Sequence, residues 1–159
     1  MKLPTPQRWD NMSALQRGMG TAVIRAMSTL HTAVYRVSGG RFGARFLDGQ
    51  PLLLLFTRGR KTGKRRTHPL IFLEDGERLV IVASKGGYPK HPDWYGNLVA
   101  NPDVEVQIGP RREARRARTA LGDERSALWP RLVALYAPYA DYQTITEREI
   151  PVVVLERTA

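Results

Sequence analysis

The stretch RGRKTGKRR at residues 58–66 packs six basic side chains and no acid around Gly59 and Gly63. Glycine lets backbone amides turn inward, and cations on such a turn converge on an anion: nucleic acid, acidic lipid or a phosphorylated cofactor. A second run, RREARRAR at 111–118, has five arginines with Glu113 as its one acid and reads equally well as a solvated face. The remaining chemistry is defined by what the chain lacks. GRKTGKRR has three residues between its glycines and Arg65 after Lys64, so it is not a phosphate loop of the GxxxxGK[ST] type. No GxGxxG opens a βαβ unit, Ser84 sits in no GxSxG elbow, and His31, His68 and His91 fall at no metal-ligand spacing. No close carboxylate pair suggests glycosidase chemistry. With no cysteine there is no thiol nucleophile, disulfide or cysteine-ligated metal. A basic site with glycines and aromatics but no nucleophile suits a protein whose cofactor does the chemistry.

The elements that must position this site are short. At 159 residues, 42% hydrophobic and with a formal charge of +10, the chain has the size and composition of one globular domain. Apolar runs at Leu52–Thr57, Pro69–Leu73 and Leu79–Ser84 read as strands, the last two joined by the Asp75-Gly76 turn. Asp103–Gly109 alternates, with Val104, Val106 and Ile108 on one face; Arg112–Leu121 is its antiparallel partner, and Ile150–Glu156 closes the set. Helices are expected from Asp93 to Ala100 and from Asp123 through Leu128, Leu132 and Leu135, with Pro130 near the first turn or kinking the second. Six strands joined mostly by hairpins, without βαβ spacing, predict a closed or nearly closed antiparallel barrel. Residues 11–37 carry a helical apolar pattern whose polar positions include Arg17, Arg25 and Arg36 and no acid. This helix packs on the core, pairs with another copy, or lies on a membrane surface. The expected organisation is a helical segment at 1–49 and a barrel domain at 50–159.

Three blocks, GRKTGKRRTHPL (59–70), VASKGGYPKHPDWYGNLVANPDVEVQIG (82–109) and YAPYADYQTITEREIPVVVLE (136–156), resemble the deazaflavin (F420)-dependent nitroreductase family of actinobacteria. The resemblance implies a split β-barrel of the flavin-reductase type and a reductase that takes a hydride from reduced F420. Its implied acceptors are small organic molecules: quinones, activated alkenes or nitro compounds. F420 ends in a phosphodiester and a glutamate tail. The resemblance assigns that tail to Arg60, Lys61, Thr62 and Arg66, and lays Thr67, His68, Pro69, Leu70 and Ile71 against the coenzyme. It further implies contacts from Val82, Ala83, Ser84 and Lys85, and from Asp93, Trp94, Tyr95, Gly96 and Asn97 at a helix start. Tyr136, Tyr139 and Tyr142, with Ser84, would shape the substrate pocket. The resemblance sets Tyr139 near the coenzyme, which makes it the candidate catalytic residue.

Two other readings remain open at this point: a non-enzymatic split-barrel binding protein, and a reductase using FMN, whose single phosphate would leave most of the basic turn unused. Nucleic acid is not expected, since the alternating strand offers no exposed aromatics for stacking. The N-terminal stretch MKLPTPQRWDN lacks the apolar core of a secretory signal, so a cytoplasmic protein is expected, with the basic helix allowing peripheral membrane contact.

Overall fold

The computed structural model describes residues 29, 30, 32–39 and 49–158. The part of the expected N-terminal helix at residues 11–28, together with His31 and Gly40, lies outside them. Helical residues 29, 30 and 32–37 form α1. The strands are β1 (Leu52–Arg58), β2 (Arg65–Asp75), β3 (Arg78–Val82), β4 (Asp103–Ile108), β5 (Arg111–Thr119) and β6 (Val152–Arg157). After β3 come a short 3-10 turn at Lys85–Gly87 and α2 (Asp93–Ala100). Between β5 and β6 lie α3 (Gly122–Leu135) and α4 (Pro138–Thr144).

Every strand pairing is antiparallel, and the order β1-β2-β3-β6-β5-β4 closes on itself through β4 and β1. One face of the strands fills the barrel with Leu53, Leu55, Ile81, Val106, Val153 and Leu155, stoppered by Trp94 and Leu98 of α2. The outer face of β3 and β6 is covered as well: Val80, Val82, Val152 and Val154 pack under Leu128 and Leu132 of α3 and the tyrosines of α4. Burial on both faces is why these strands read as unbroken apolar runs, while β4, wetted on one side, alternates. Beneath α1, Tyr35 packs on Leu54 and Phe56 from the outside, and its hydroxyl accepts the Gly109 amide proton at 2.7 Å.

Two elements differ from the sequence reading. Strand β2 starts at Arg65, four residues before the apolar run. Its polar first half stays extended because Arg65–Ile71 pair in register with β1. Beyond Phe72 toward Arg65 no β3 residue reaches it, since β3 pairs only with Phe72–Asp75. This stretch is paired on one side only, and it tolerates Pro69, which has no amide to offer a second neighbour. Helix α3 runs through Pro130, which sits in its interior rather than near its first turn, and the helix is capped by no side chain. Chain breakage comes instead at Ala137-Pro138, where proline takes the first position of α4.

Candidate functional site

The basic turn connects β1 to β2 and is closed by its own backbone. The Gly59 amide donates to Lys64 O and the Gly63 amide to Gly59 O, both at 2.8 Å. Gly63 has φ +65, which favours glycine, and a Cβ on Gly59 would crowd Thr62 Oγ1 at 2.8 Å and the Lys64 carbonyl at 3.3 Å. Arg60 anchors this turn to α2. Its amide donates to Asn97 Oδ1 at 3.1 Å, and its Nη1 donates to Asn97 Oδ1 and to the Asp93 carbonyl, both at 3.0 Å. The guanidinium lies flat on the helix because residue 96 is glycine: a Cβ there would stand 2.8 Å from Arg60 Nη1. Asn97 is buried by this contact.

Between the turn, β2 and the start of α2 lies a groove of ≈ 880 Å³. Gly59, Arg60, Lys61, Thr62, Arg65, Arg66, Thr67, His68, Asp93 and Asn97 line it, with Thr29 from α1. The register explains its chemistry. Paired residues share a face, so Leu53/Leu70, Leu55/His68 and Thr57/Arg66 form successive rungs on the inner wall, passing from apolar to polar toward the groove. In the last two rungs Thr57 Oγ1 and His68 Nε2 are buried with no hydrogen-bond partner among the described residues. Orphaned buried polar atoms are rare and call for an explanation, and a bound polar ligand is one. Burial pushes the His68 imidazole below its ordinary value; Asp93 opposes that shift and Arg66 adds to it. His68 is therefore neutral near pH 7, with one nitrogen able to donate and the other to accept.

The groove's cations are not equivalent. Arg60 is taken up by α2. Arg65, on the outward side of β2, is bound to Glu105 at 2.6 Å and stacks on Phe56 with its carbon Cζ 4.3 Å from the ring centre. Lys61 and Arg66 have no carboxylate partner among the described residues.

The other expected site residues lie beyond this groove. Pro69, Leu70 and Ile71 continue β2; Leu70 packs into the barrel. Trp94 is buried in the barrel core, and Tyr95 hydrogen-bonds Thr119 Oγ1 at 2.9 Å. Val82 and Ala83 lead from β3 into Ser84 and the left-handed turn at Lys85 (φ 46), Gly86 and Gly87. A Cβ on Gly87 would stand 2.8 Å from the Tyr142 carbonyl, so this turn is pressed against α4. Tyr136, Tyr139 and Tyr142 cluster there, with the Tyr136 and Tyr142 hydroxyls 3.2 Å apart. Tyr139 is 5% exposed, its ring centre 6.5 Å from that of Trp129 and tilted to it, and its hydroxyl has no hydrogen-bond partner among the described residues. Burial pushes the Tyr139 and Tyr142 phenols well above the usual tyrosine range, so both keep their protons. Three residues of this region carry no distinguishing sequence signal: Thr57, paired with Arg66 but hidden in an apolar run; Arg65, indistinguishable from its basic neighbours; and Arg148, whose guanidinium reaches the turn at 83–88 from a distant loop.

The described residues thus form a closed six-stranded antiparallel barrel flanked by a basic groove whose Lys61 and Arg66 have no carboxylate partner among them, a small barrel protein with an anion-binding groove. The family model for F420H(2)-dependent quinone reductase matches residues 27–157. The chain belongs to this family of oxidoreductases that depend on reduced F420. An F420H(2)-dependent quinone reductase of Mycobacterium tuberculosis is 44% identical over 146 residues, 90% of this chain and 95% of that one. The solved structure of an F420-H2 dependent reductase (FDR-A) shares 48% identity over 67% of this chain and 94% of its own, with a TM-score of 0.62. A solved domain-swapped dimer shares 40% identity over 86% of this chain and 99% of its own, with a TM-score of 0.66.

Proposed function

We propose that the groove holds the anionic tail of reduced F420 while the barrel presents a quinone for hydride transfer, with 50–159 as the coenzyme-binding unit. One observation carries the reading. Lys61 and Arg66, without carboxylate partners among the described residues, line a groove with the unsatisfied His68 Nε2, and the unsatisfied Thr57 Oγ1 lies on the strand position paired with Arg66. A phosphodiester and glutamate carboxylates would meet the cations, and charge-assisted contacts are the strong ones. When bound, reduced F420 supplies the hydride. The chain's own residues bind, orient and keep water away. Lys61 and Arg66 hold the tail, with the Thr62 and Thr67 hydroxyls beside them. Arg60 keeps the turn against α2 rather than meeting the ligand directly. Ser84 and Lys85, in the turn after β3, would contact the deazaflavin ring system. Tyr139 is the catalytic candidate: its protonated, uncommitted hydroxyl is suited to orient the acceptor or pass it a proton. The test is to mix the protein with reduced F420 and a soluble quinone and follow the return of oxidised F420 absorbance, with FMN in parallel. Rapid turnover with F420 and none with FMN is expected; no F420 binding, or equal use of FMN, overturns the reading.

An apolar acceptor bears on where the enzyme works. Among the described residues no helix is long and apolar enough to cross a membrane. Helix α1 exposes Leu30, Val34 and Val37, spaced along one side, beside Arg36. A cytoplasmic enzyme touching an anionic bilayer through this helix fits that pattern. Co-sedimentation with anionic but not neutral liposomes, reversed by salt, is the expected result; equal pelleting with both would remove the electrostatic contact.

A further inference from the structure

Arg148 lies in the loop between α4 and β6, outside the groove, yet its guanidinium is directed wholly at the turn that follows β3. Nε donates to the Tyr88 carbonyl at 2.8 Å, Nη2 to the Ser84 carbonyl at 2.7 Å and Nη1 to the Ala83 carbonyl at 3.2 Å. Nη1 also stands 3.1 Å from His91 Nδ1. Among the described residues it has no carboxylate partner, although Glu147 and Glu149 flank it in sequence and Glu149 turns instead to Arg125. An arginine that gathers carbonyls from both ends of a five-residue turn fixes the path of that turn.

The turn needs fixing. Lys85 is the one residue other than glycine with positive φ among the described residues, and it is followed by two left-handed glycines. Such a conformation is held only where the surroundings over-determine it. Gly87 is pressed by Tyr142 and Ile145, and Arg148 ties the carbonyls of Ala83, Ser84 and Tyr88. Tyr88, whose carbonyl Arg148 holds, places its ring 4.9 Å from the Lys85 ammonium. The fork thus reaches Lys85 twice: through the backbone on its N-terminal side and through the ring that seats its side chain.

We propose that Arg148 is a positioning residue of the reaction, holding the 84–88 turn in the shape that presents Lys85 to the coenzyme. The inference rests on the reading above that Ser84 and Lys85 flank bound F420. It makes the loop carrying Arg148 a support of the coenzyme site, with no contact of its own to the reacting atoms.

The experiment uses the full chain with Arg148→Ala, Arg148→Lys, Lys85→Ala and the double variant, measuring F420 affinity by fluorescence, quinone KM and kcat, and melting temperature. Arg148→Ala is expected to weaken F420 binding on the order of tenfold while quinone KM stays as in wild type. Arg148→Lys does not restore affinity, because one ammonium cannot replace a fork that bonds three carbonyls. Millimolar guanidinium restores Arg148→Ala but not Lys85→Ala. Adding Lys85→Ala to Arg148→Ala costs little more, because the lysine is already misplaced; a merely stabilising arginine would give additive losses. Wild-type F420 affinity in Arg148→Ala, or in Arg148→Lys should the alanine variant not fold, overturns the proposal, as does additivity. If Lys85→Ala weakens binding and Arg148→Ala does not, the role of Arg148 alone is wrong. If wild type binds F420 and neither variant weakens it, the placement of coenzyme at this turn is wrong, and the proposal falls with it.

Discussion

The two ends of the barrel are both rich in arginine, and they use it in opposite ways. At the hairpin end Arg115 is 3% exposed and faces inward beside Val104. Its guanidinium donates to Glu113 at 2.6 Å and to the Glu77 and Leu155 carbonyls. Around it Asp75 joins Arg78 and Arg131, and Glu124 joins Arg78 and Arg118. At the groove end Lys61 and Arg66 line the groove with no carboxylate partner among the described residues. Position in a basic run therefore says little about role. The informative quantity is whether each cation is neutralised inside the fold, since burial without a partner is costly and a cation left bare in a groove is available to an anion.

The largest effect should come from the bare end. Replacing Lys61 or Arg66 with alanine removes one partner of a charge-assisted contact, worth about 1.5–3 kcal/mol, or on the order of ten- to a hundredfold in F420 affinity. Melting temperature should hold, because neither side chain has a carboxylate to lose. A drop in stability without a change in affinity would reverse the assignment of the two ends. Arg115→Ala should do the opposite. It strips three bonds from a closed barrel end and should cost about 1–3 kcal/mol of stability by denaturant titration, with F420 affinity per folded molecule unchanged.

Tyr139→Phe sharpens the contrast from a third position. Its hydroxyl has no hydrogen-bond partner among the described residues, so melting temperature should stay put while F420H2 oxidation by quinone falls roughly tenfold if the hydroxyl meets the acceptor, and further if it is the proton donor. Equal rates would leave it as packing. The smallest effect is acid sensitivity. Arginine partners hold the Asp75 and Glu124 carboxyls below their ordinary values of 3.8 and 4.5. A depressed folded-state value adds stability above the ordinary value, and this is lost as pH falls through the folded-state value. Stability should therefore decline from about pH 4.5 downward, and Glu124→Gln should flatten part of that decline. An unchanged profile would show that these surface ion pairs contribute nothing measurable.

Some of this was legible in the chain because one physical cause wrote it there. Burial on both faces made LVIV and VVVL continuous, and a half-wetted sheet made DVEVQI alternate, so the barrel strands stand out. The polar half of β2 was hidden because those residues face a groove instead of a core, and only pairing with β1 keeps them extended. The resemblance brought out the basic turn as a unit but not the division of labour within it. Arg60 and Arg66 look alike in sequence, yet one is committed to Asn97 and Asp93 by a glycine at position 96 while the other has no carboxylate partner among the described residues. Tyr136, Tyr139 and Tyr142 were visible as a spacing of three. That two hydroxyls pair and one stays unused depends on the break at Pro138, which the spacing does not carry. Arg148 gave no signal, since its partners lie some sixty residues earlier in the chain.

The central claim is that the bare cations read the coenzyme's tail, and tail selectivity tests it most directly. Affinity should be measured for F420 and for the same deazaflavin lacking the phosphodiester and glutamates, in wild type and in Lys61→Ala/Arg66→Ala. Wild type should prefer the tailed form strongly, with a preference that shrinks as salt rises, and the double variant should bind both forms almost alike. A double variant that keeps the wild-type preference would contradict the account and place the tail elsewhere on the molecule.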